Sequence, residues 1–379
     1  MRQSSGVYKL AFIGGGINSI AGYPHLLASQ LDNKFKVVAG AFSTQQEINK
    51  QTGKAWEIDN IYDSWQDMVQ KEKNNIDAVV ILTPTPLHYE MITKLLDLNI
   101  PVICEKPLVS SVEEIKRLEN KYDLDKYFLV VINNYSGYPM LRELKYKIKN
   151  GELGDILHIR LKMSQESFLK PPRNIKYPQK WRLKDEFIPT ICLDLGTHLH
   201  HLSYFLLQKE PLSLIANYES FSNYNIIDNV NIMFKCEDNL DGNMWISKVA
   251  LGNRNGLQIE VFGKEASALW QQENPEKLQI SNLKGETITI DRGSNVKIAN
   301  ESLYNRMTPG HPSGFIEGLA NLYNDVAVKL DSFYDKIEIK DNYVYGFEHA
   351  KKGIIFFNNA TLSDKLSKWI KIKDMINEV

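Results

Sequence analysis

Two short stretches of the chain carry the residues best suited to chemistry. Lys106 follows an apolar run within Glu105-Lys106-Pro107, and Asp194 and His198 stand four residues apart later in the chain. Positions 194, 198 and 201 are spaced i, i+4 and i+7, so a helix would carry all three on one face. A positioned histidine can remove the proton of an alcohol near neutral pH while a hydride leaves. These residue types predict a hydride-transferring enzyme, provided that they converge beside a bound dinucleotide.

A glycine-rich turn is the candidate dinucleotide site. Gly14, Gly15 and Gly16 follow a short apolar strand and precede a helical stretch, with Ile17 and Asn18 next in the chain. The pattern fits G-x-G-x-x-[small], with Ser19 in place of the usual third glycine. Glycines allow a tight turn and close backbone approach, so that amide N–H groups at the helix start face a pyrophosphate. An ordinary strand-to-helix turn is the alternative, and the position at the end of the first strand favours the dinucleotide.

The end of the predicted second strand leaves the form of the dinucleotide open. An acidic residue normally stands there and binds the hydroxyls of the adenosine ribose. Here the segment is Ser43-Thr44-Gln45-Gln46, without a carboxylate to repel a 2′-phosphate or an adjacent arginine to attract one. Lys50 or Lys54 could reach such a phosphate, but a solvated helix face explains both equally well. NAD and NADP are therefore both candidate cofactors.

The order of predicted elements indicates two domains. Apolar strands alternate with helices over residues 7–134, which is typical of a doubly wound parallel sheet covered on both faces. Between 214 and 270 strands follow one another, joined by turns such as Asp241-Gly242, which indicates an antiparallel sheet. Ser64 and Ser111 are predicted to cap two of the helices within residues 7–134. A later helix is predicted over 190–207, and two more helices end the chain. We predict an α/β Rossmann domain over 1–137 and an α+β substrate-binding and oligomerisation domain over 138–379, its sheet mostly antiparallel and open, with the C-terminal helix a candidate to pack back on the first domain.

Composition excludes several classes of protein. The 379 residues carry a formal net charge of -1, which gives no electrostatic case for nucleic acid or an anionic membrane. No apolar run approaches the ~20 residues that span a bilayer, and the first residues lack a signal-peptide pattern, so we expect a cytoplasmic protein. The three cysteines are far apart, which argues against a disulfide framework or a CxxC metal site. His198, His200 and His201 would be scattered around a helix, so no metal is expected.

Several motifs together resemble one known family. Thr83-Pro84-Thr85-Pro86-Leu87-His88 follows a predicted strand at its carboxyl end, where ligands of open parallel sheets bind. With the glycine turn, this segment resembles the family of glucose–fructose oxidoreductase, inositol dehydrogenase and MocA (Gfo/Idh/MocA). Glu105-Lys106-Pro107 matches the E-K-P motif of that family, and Asp194-x-Gly196-x-His198 matches the start of its D-x-G-x-H-x-x-D motif. The last position of the second motif is His201 here instead of Asp.

The resemblance implies roles for the matching residues. Lys106 would polarise the reacting hydroxyl or carbonyl, His198 would act as general acid/base, and Asp194 would bind a neighbouring hydroxyl and orient the site. NAD or NADP would be the cofactor, and a homo-dimer or homo-tetramer would form through the exposed face of the second sheet. The predicted cofactor-binding residues are Gly14, Gly16, Ile17, Asn18, Ser43, Thr83, Pro84, His88, Glu105 and Lys106.

The predicted substrate is a sugar, a nucleotide sugar or a cyclitol. Tyr135, Tyr138 and Trp181 offer the aromatic faces and polar edges that sugars prefer, and Lys170 and Arg173 could meet a diphosphate. The predicted substrate-binding residues are Asn134, Tyr135, Tyr138, Trp181, Arg182 and His201. Two alternatives stay open at this stage: a glycosidase that retains NAD and oxidises the sugar transiently, and a non-catalytic protein that senses a dinucleotide.

Overall fold

The buried apolar strands of the first half of the chain form one sheet. The computed structural model describes residues 6–170, 178–336, 338–339 and 343–372. The sheet has the order β15-β6-β5-β4-β1-β2-β3, with every pair parallel except β15 with β6. This is the doubly wound Rossmann sheet that the sequence predicts. Its strands are β1 (Tyr8–Gly14), β2 (Phe35–Ala41), β3 (Asn60–Ile61), β4 (Ala78–Leu82), β5 (Val102–Glu105), β6 (Leu129–Ile132) and β15 (Tyr345–Gly346).

Helices connect these strands, and two of the helices begin at serine caps. The Ser64 and Ser111 side chains each accept a hydrogen bond from a backbone N–H three residues later, those of Asp67 and Glu114, so both predicted caps are confirmed. Each serine thereby satisfies one N–H that the helix itself leaves without a partner. The helices are α1 (Gly22–Gln30), α2 (Gln46–Trp56), α3 (Trp65–Glu72), α4 (His88–Asp97), α5 (Val112–Lys121) and α8 (Phe315–Asp335).

The late helix α8 completes the core of this first unit. The chain divides into one unit that ends at Gly137 and resumes over Gly314–Ala350, and a second that holds Tyr138–Ser313 and the residues from Lys351 onward. The chain therefore leaves the first unit after Gly137 and returns to it over residues 314–350. Burial of apolar side chains stabilises this return of the chain. Helix α8 places Leu319, Leu322 and Val326 in the same buried cluster as Leu10 and Phe12 of β1.

The second unit is built on a nine-stranded sheet with helices on one face. Alternating burial along its strands shows that one face is covered. Neighbours are antiparallel apart from the parallel pair β7 and β10, in the order β14-β13-β12-β11-β7-β10-β9-β8-β16. The elements are α6 (Pro139–Lys149), β7 (Ile156–Ser164), α7 (Thr197–Leu207), β8 (Ser213–Glu219), β9 (Asn229–Lys235), β10 (Asp241–Ser247), β11 (Gly256–Gly263), β12 (Ala266–Gln271), β13 (Leu278–Asn282), β14 (Thr287–Ile290), α9 (Phe347–Leu366) and β16 (Ile370–Lys371).

Two sequence predictions about this sheet fail. Asp241 and Gly242 open β10 and do not form the turn, which lies just before them at Asp238 and Asn239, both with positive φ. Strands β13 and β14 were not predicted, because most of their residues are exposed and give no alternating apolar signal.

The three cysteines are free and buried. Within the described part of the chain, no helix has the length and apolar character needed to cross a membrane.

Candidate active site

In the first unit, the candidate residues lie where the parallel strands end. The register pairs Gly14 at the end of β1 with Leu82 at the end of β4, so the turns that follow both strands are neighbours. Gly14 and Gly15 have φ of +79° and +77°, a region that other residues rarely adopt. A Cβ on Gly14 would stand 2.8 Å from Thr83 Cγ2. The glycine turn and the Thr83 turn therefore form a single concave edge, as the Rossmann prediction requires.

A third glycine stands later than the motif suggests. Helix α1 begins at Gly22, and a Cβ there would lie 1.6 Å from the carbonyl oxygen of Gly15. Gly22 thus allows the helix to pack directly on the turn, the role that the third glycine plays in the usual fingerprint. Sequence reasoning assigned Ser19 to that position and missed Gly22, although a glycine inside a predicted helix is a signal for close packing.

The backbone amides of the turn fit a dinucleotide in a different way from the one predicted. Gly16 N–H donates to Phe42 O at 3.1 Å, and Ile17 N–H donates to Thr52 Oγ1 at 3.1 Å, so both are engaged within the protein. Asn18 and Ile20 are exposed, and no contact among the described residues uses their N–H groups. Donors that face solvent beside a glycine turn suit the oxygens of a pyrophosphate. The residues present fit the cofactor, because Asn18 and Ile20 are exposed beside the turn and no described contact uses their N–H groups.

Glu105 is held by a chain of two buried side chains. Its Oε1 lies 2.8 Å from His25 Nε2, and His25 Nδ1 lies 2.7 Å from the hydroxyl of Tyr323. Burial and the nearby Glu105 raise the pKa of Tyr323 well above its usual range, so the phenol keeps its proton. The histidine Nε2–H then donates to the carboxylate. Glu105 therefore ties the end of β5 to α1 and α8, and it fixes the start of the strand exit that carries Lys106.

His88 joins the exits of β4 and β5. Its Nε2 lies 2.8 Å from Thr83 O and its Nδ1 lies 2.9 Å from Pro107 O, and its side chain is buried. Burial lowers the pKa of this imidazole, and the hydrogen bonds to the two backbone carbonyls oppose that shift. Pro84 follows Thr83 and precedes the short helical turn that leads into α4. His88, predicted to bind the cofactor, thus contacts the backbone through both of its ring nitrogens.

In the second unit, Asp194 lies in a π-helical turn. Residues Cys192–Gly196 form this turn directly before α7, so one extra residue is inserted ahead of His198. The i, i+4, i+7 argument assumed a regular helix and does not describe this geometry. Gly196 is required locally, because a Cβ there would lie 2.6 Å from Phe357 Cζ of α9. Such π-helical turns are rare and are often found at functional sites.

Two cations hold the carboxylate of Asp194. Arg182 Nε and Nη2 lie 3.1 Å and 3.2 Å from its two oxygens, and Lys248 Nζ lies 2.7 Å from Oδ2. The Lys248 side chain is only 2% exposed. The cations stabilise the negative charge and fix the plane of the carboxylate. Sequence reasoning named Arg182 but missed Lys248, since nothing local distinguishes a buried lysine from the many exposed ones.

The other predicted substrate residues fall into different environments. The guanidinium carbon of Arg182 lies 4.2 Å from the ring centroid of Trp181, and the indole N–H of Trp181 donates to Gln179. Tyr138 is buried against Trp270, and its hydroxyl accepts a hydrogen bond from Gln272, as in core packing. Three more predicted residues are buried: Asn134 and Tyr135 in the turn that packs on α8, and His201 beside the Phe205 ring.

Of the two basic residues predicted to meet a diphosphate, the structure describes Lys170. Lys170 is exposed, and its ammonium lies 3.7 Å from Glu166 Oε1. Arg173 lies outside the described residues. His198 is buried, with 6% of its surface exposed.

Comparison with known proteins assigns the chain to a family. Residues 8–132 match the model for the oxidoreductase family with an NAD-binding Rossmann fold, and residues 141–269 match the GFO/IDH/MocA C-terminal domain. The chain belongs to the Gfo/Idh/MocA oxidoreductase family. Its first domain is therefore an NAD-binding Rossmann domain, and the resemblance drawn from the motifs is confirmed.

Relatives and solved structures extend over most of the chain. It is 28% identical to the uncharacterized oxidoreductase YfiI of Bacillus subtilis, over 96% of this chain and 97% of the relative. Levoglucosan dehydrogenase of Pseudarthrobacter phenanthrenivorans is 23% identical over 65% of this chain and 67% of the relative. The structure of an inositol dehydrogenase homolog complexed with NAD+ from Azotobacter vinelandii has a TM-score of 0.90 and 25% identity, covering 98% of this chain and all of that one.

Gly22→Ala should damage the cofactor turn. The added methyl cannot fit 1.6 Å from Gly15 O, so the turn or the helix must move. We expect the affinity for NAD+ to fall by about tenfold or more, with a loss of about 1–3 kcal/mol in the free energy of unfolding. Calorimetric titration and denaturant unfolding measure the two effects. Gly6→Ala is the control, because a Cβ at Gly6 meets nothing within 4 Å. Unchanged binding in Gly22→Ala would contradict the packing role.

Asp194→Asn should destabilise the second unit. It leaves the buried Lys248 ammonium without its carboxylate, a loss that typically costs about 3–5 kcal/mol. The double variant Asp194→Asn/Lys248→Met should recover part of that loss, because the uncompensated charge is gone. Denaturant unfolding gives the comparison, with Asp155→Asn as the control, whose ion pair with Lys264 is exposed and worth at most about 1 kcal/mol. Additive losses in the double variant would show that the pair does not act as a unit.

Proposed function

We propose that this protein transfers a hydride between NAD and a hydroxyl-bearing carbon of a sugar, nucleotide sugar or cyclitol. The observation that carries the proposal is Asp194, a carboxylate oriented by two cations and followed by the buried His198, in a chain with an NAD-binding domain. A carboxylate held in one plane can accept hydrogen bonds from the hydroxyls of a polyol. The names of relatives agree, since they include levoglucosan dehydrogenase and scyllo-inositol 2-dehydrogenase.

The proposed roles follow from the side chains themselves. Bound NAD accepts or supplies the hydride. Lys106, an ammonium at the exit of β5, hydrogen-bonds the reacting oxygen and stabilises negative charge on it. His198 takes the hydroxyl proton during oxidation and returns it during reduction, which suits an imidazole near neutral pH. Asp194 binds a neighbouring hydroxyl and so orients the reacting carbon.

Other residues near the strand exits support the proposed function by positioning the reacting groups, without reacting themselves. His25 and His88 are engaged on both ring nitrogens by other protein groups, and each ties together strand exits or helices. Both are therefore positioning residues. Glu105 acts through His25 in the same way, by fixing the backbone from which Lys106 extends.

A substrate panel tests the proposal directly. The purified chain is mixed with NAD+ or NADP+ and with sugars, inositols and UDP-sugars in turn, and the absorbance of the reduced nicotinamide is followed. Reduction of the cofactor by one of these polyols supports the proposal. Cleavage of a glycoside with no net reduction would contradict it and indicate the NAD-retaining glycosidase. Binding of NAD+ without turnover of any compound would indicate a sensing protein.

His198→Asn should lower kcat by about 10² to 10⁴, the usual contribution of a positioned acid/base, with little change in NAD+ affinity. Lys106→Met should cause a similar loss by removing the charge on the reacting oxygen. The losses in the double variant should be far from additive, because groups that serve one step act as a unit. His201→Asn should be milder.

The control for these variants is His158→Asn. His158 lies on β7, where its Nδ1 contacts Asp241, and it should keep the kcat of the wild type. Steady-state kinetics on the substrate found by the panel gives kcat, and calorimetry gives cofactor affinity. A His198→Asn protein with wild-type kcat would remove the proposed base.

A further inference from the structure

The loop that follows β3 is pinned to the end of β2. Tyr62 N–H donates to Gly40 O at 3.0 Å, and Asn49 Nδ2 donates to Tyr62 O at 2.9 Å. The Oδ1 atom of the same Asn49 accepts from Phe42 N–H at 2.9 Å, and Asn49 is completely buried. One buried amide therefore binds both the exit of β2 and the exit of β3. The residue after Tyr62 is held close to the segment that follows β2.

That residue is Asp63, and its carboxylate faces the start of α2. Gln46 Nε2 donates to Asp63 Oδ2 at 2.9 Å, and Gln46 is the first residue of α2, three positions after Ser43. The parallel register pairs Gly40 with Ile61, and paired strands lie about 4.8 Å apart. The Asp63 carboxylate thus follows β3, which is the neighbour of β2, the strand whose end carries the acid in the usual pattern.

The local chemistry makes this charge relevant to the cofactor. The end of the second strand in a dinucleotide-binding domain meets the adenosine ribose, and an acid there accepts from the ribose hydroxyls and disfavours a 2′-phosphate. Residues 43–46 contain no acid, and the Ser43 hydroxyl accepts from Gln45 N–H. Asp63 is exposed, and the amide of Gln46 orients its carboxylate. The segment after β2 has no acidic residue of its own, but the carboxylate of Asp63 lies beside it.

We propose that Asp63 is the residue that makes this chain prefer NAD to NADP. Its carboxylate takes the part of the missing acid at the end of β2, and it repels the phosphate that distinguishes NADP. The inference rests on the proposed function only through the shared cofactor. The test measures the binding of NAD+ and NADP+ without any sugar, so its outcome does not depend on which substrate the protein uses.

The experiment compares the dissociation constants of NAD+ and NADP+ by calorimetry for the full chain. Wild type should bind NAD+ more tightly. Asp63→Asn keeps the size of the side chain and removes its charge, so the preference for NAD+ should fall by about tenfold or more, equivalent to about 1.4 kcal/mol. Asp63→Glu should keep the preference. Ser43→Asp added to Asp63→Asn should restore it, because the acid then returns to the usual position.

Asp59→Asn is the matched control. Asp59 is exposed in the same connection, but on the amino side of β3, so removing its charge should leave the ratio unchanged. An equal change in Asp59→Asn and Asp63→Asn would overturn the proposal, because the effect would then be one of general charge. An unchanged ratio in Asp63→Asn, or a wild type that binds NADP+ at least as tightly as NAD+, would overturn it as well.

Discussion

The ion pairs of the half-buried Asp194 carboxylate are the constraint on which the candidate site of the second unit depends. A charge removed from water is stable only with close partners, and here Lys248 and Arg182 supply them. Each cation comes from a different part of the chain, so the pairing fixes the end of β10 and the loop before Asp194 to the same π-helical turn. A carboxylate held in one orientation is also what the proposed recognition of a polyol needs. The same two ion pairs therefore stabilise the fold around Asp194 and orient its carboxylate for the proposed function.

In the first unit, the corresponding constraint is steric. Helix α1 can reach the strand exits only because Gly22 lets it touch Gly15, and the hydrogen-bonded chain from Glu105 through His25 to Tyr323 then fixes its direction. Helix α8 supplies the last member of that chain, although it lies about three hundred residues after α1. This explains why residues 314–350 belong to the unit that binds NAD: the helix completes its hydrophobic core and one polar network at once.

The sequence allowed the parts of the fold with local signals to be predicted. The caps Ser64 and Ser111 were predicted because a cap depends on residues three positions apart. The exposed strands β13 and β14 lack an apolar period, so no local pattern marked them. Lys248 was missed for a different reason: its burial results from packing between distant segments, and a lysine gives no sign of that in the chain itself. The π-helical turn likewise results from tertiary packing around Gly196, which the motif records only as a glycine.

The departure at His201 has a physical explanation in the same terms. The family motif ends in Asp at this position, and a buried carboxylate on α7 would need its own cation. In this chain Arg182 and Lys248 are both bound to Asp194, and His201 is 2% exposed beside the ring of Phe205. An imidazole can occupy such a place uncharged, whereas a carboxylate there would lose most of its hydration. The substitution thus leaves Asp194 as the carboxylate of the motif in this chain.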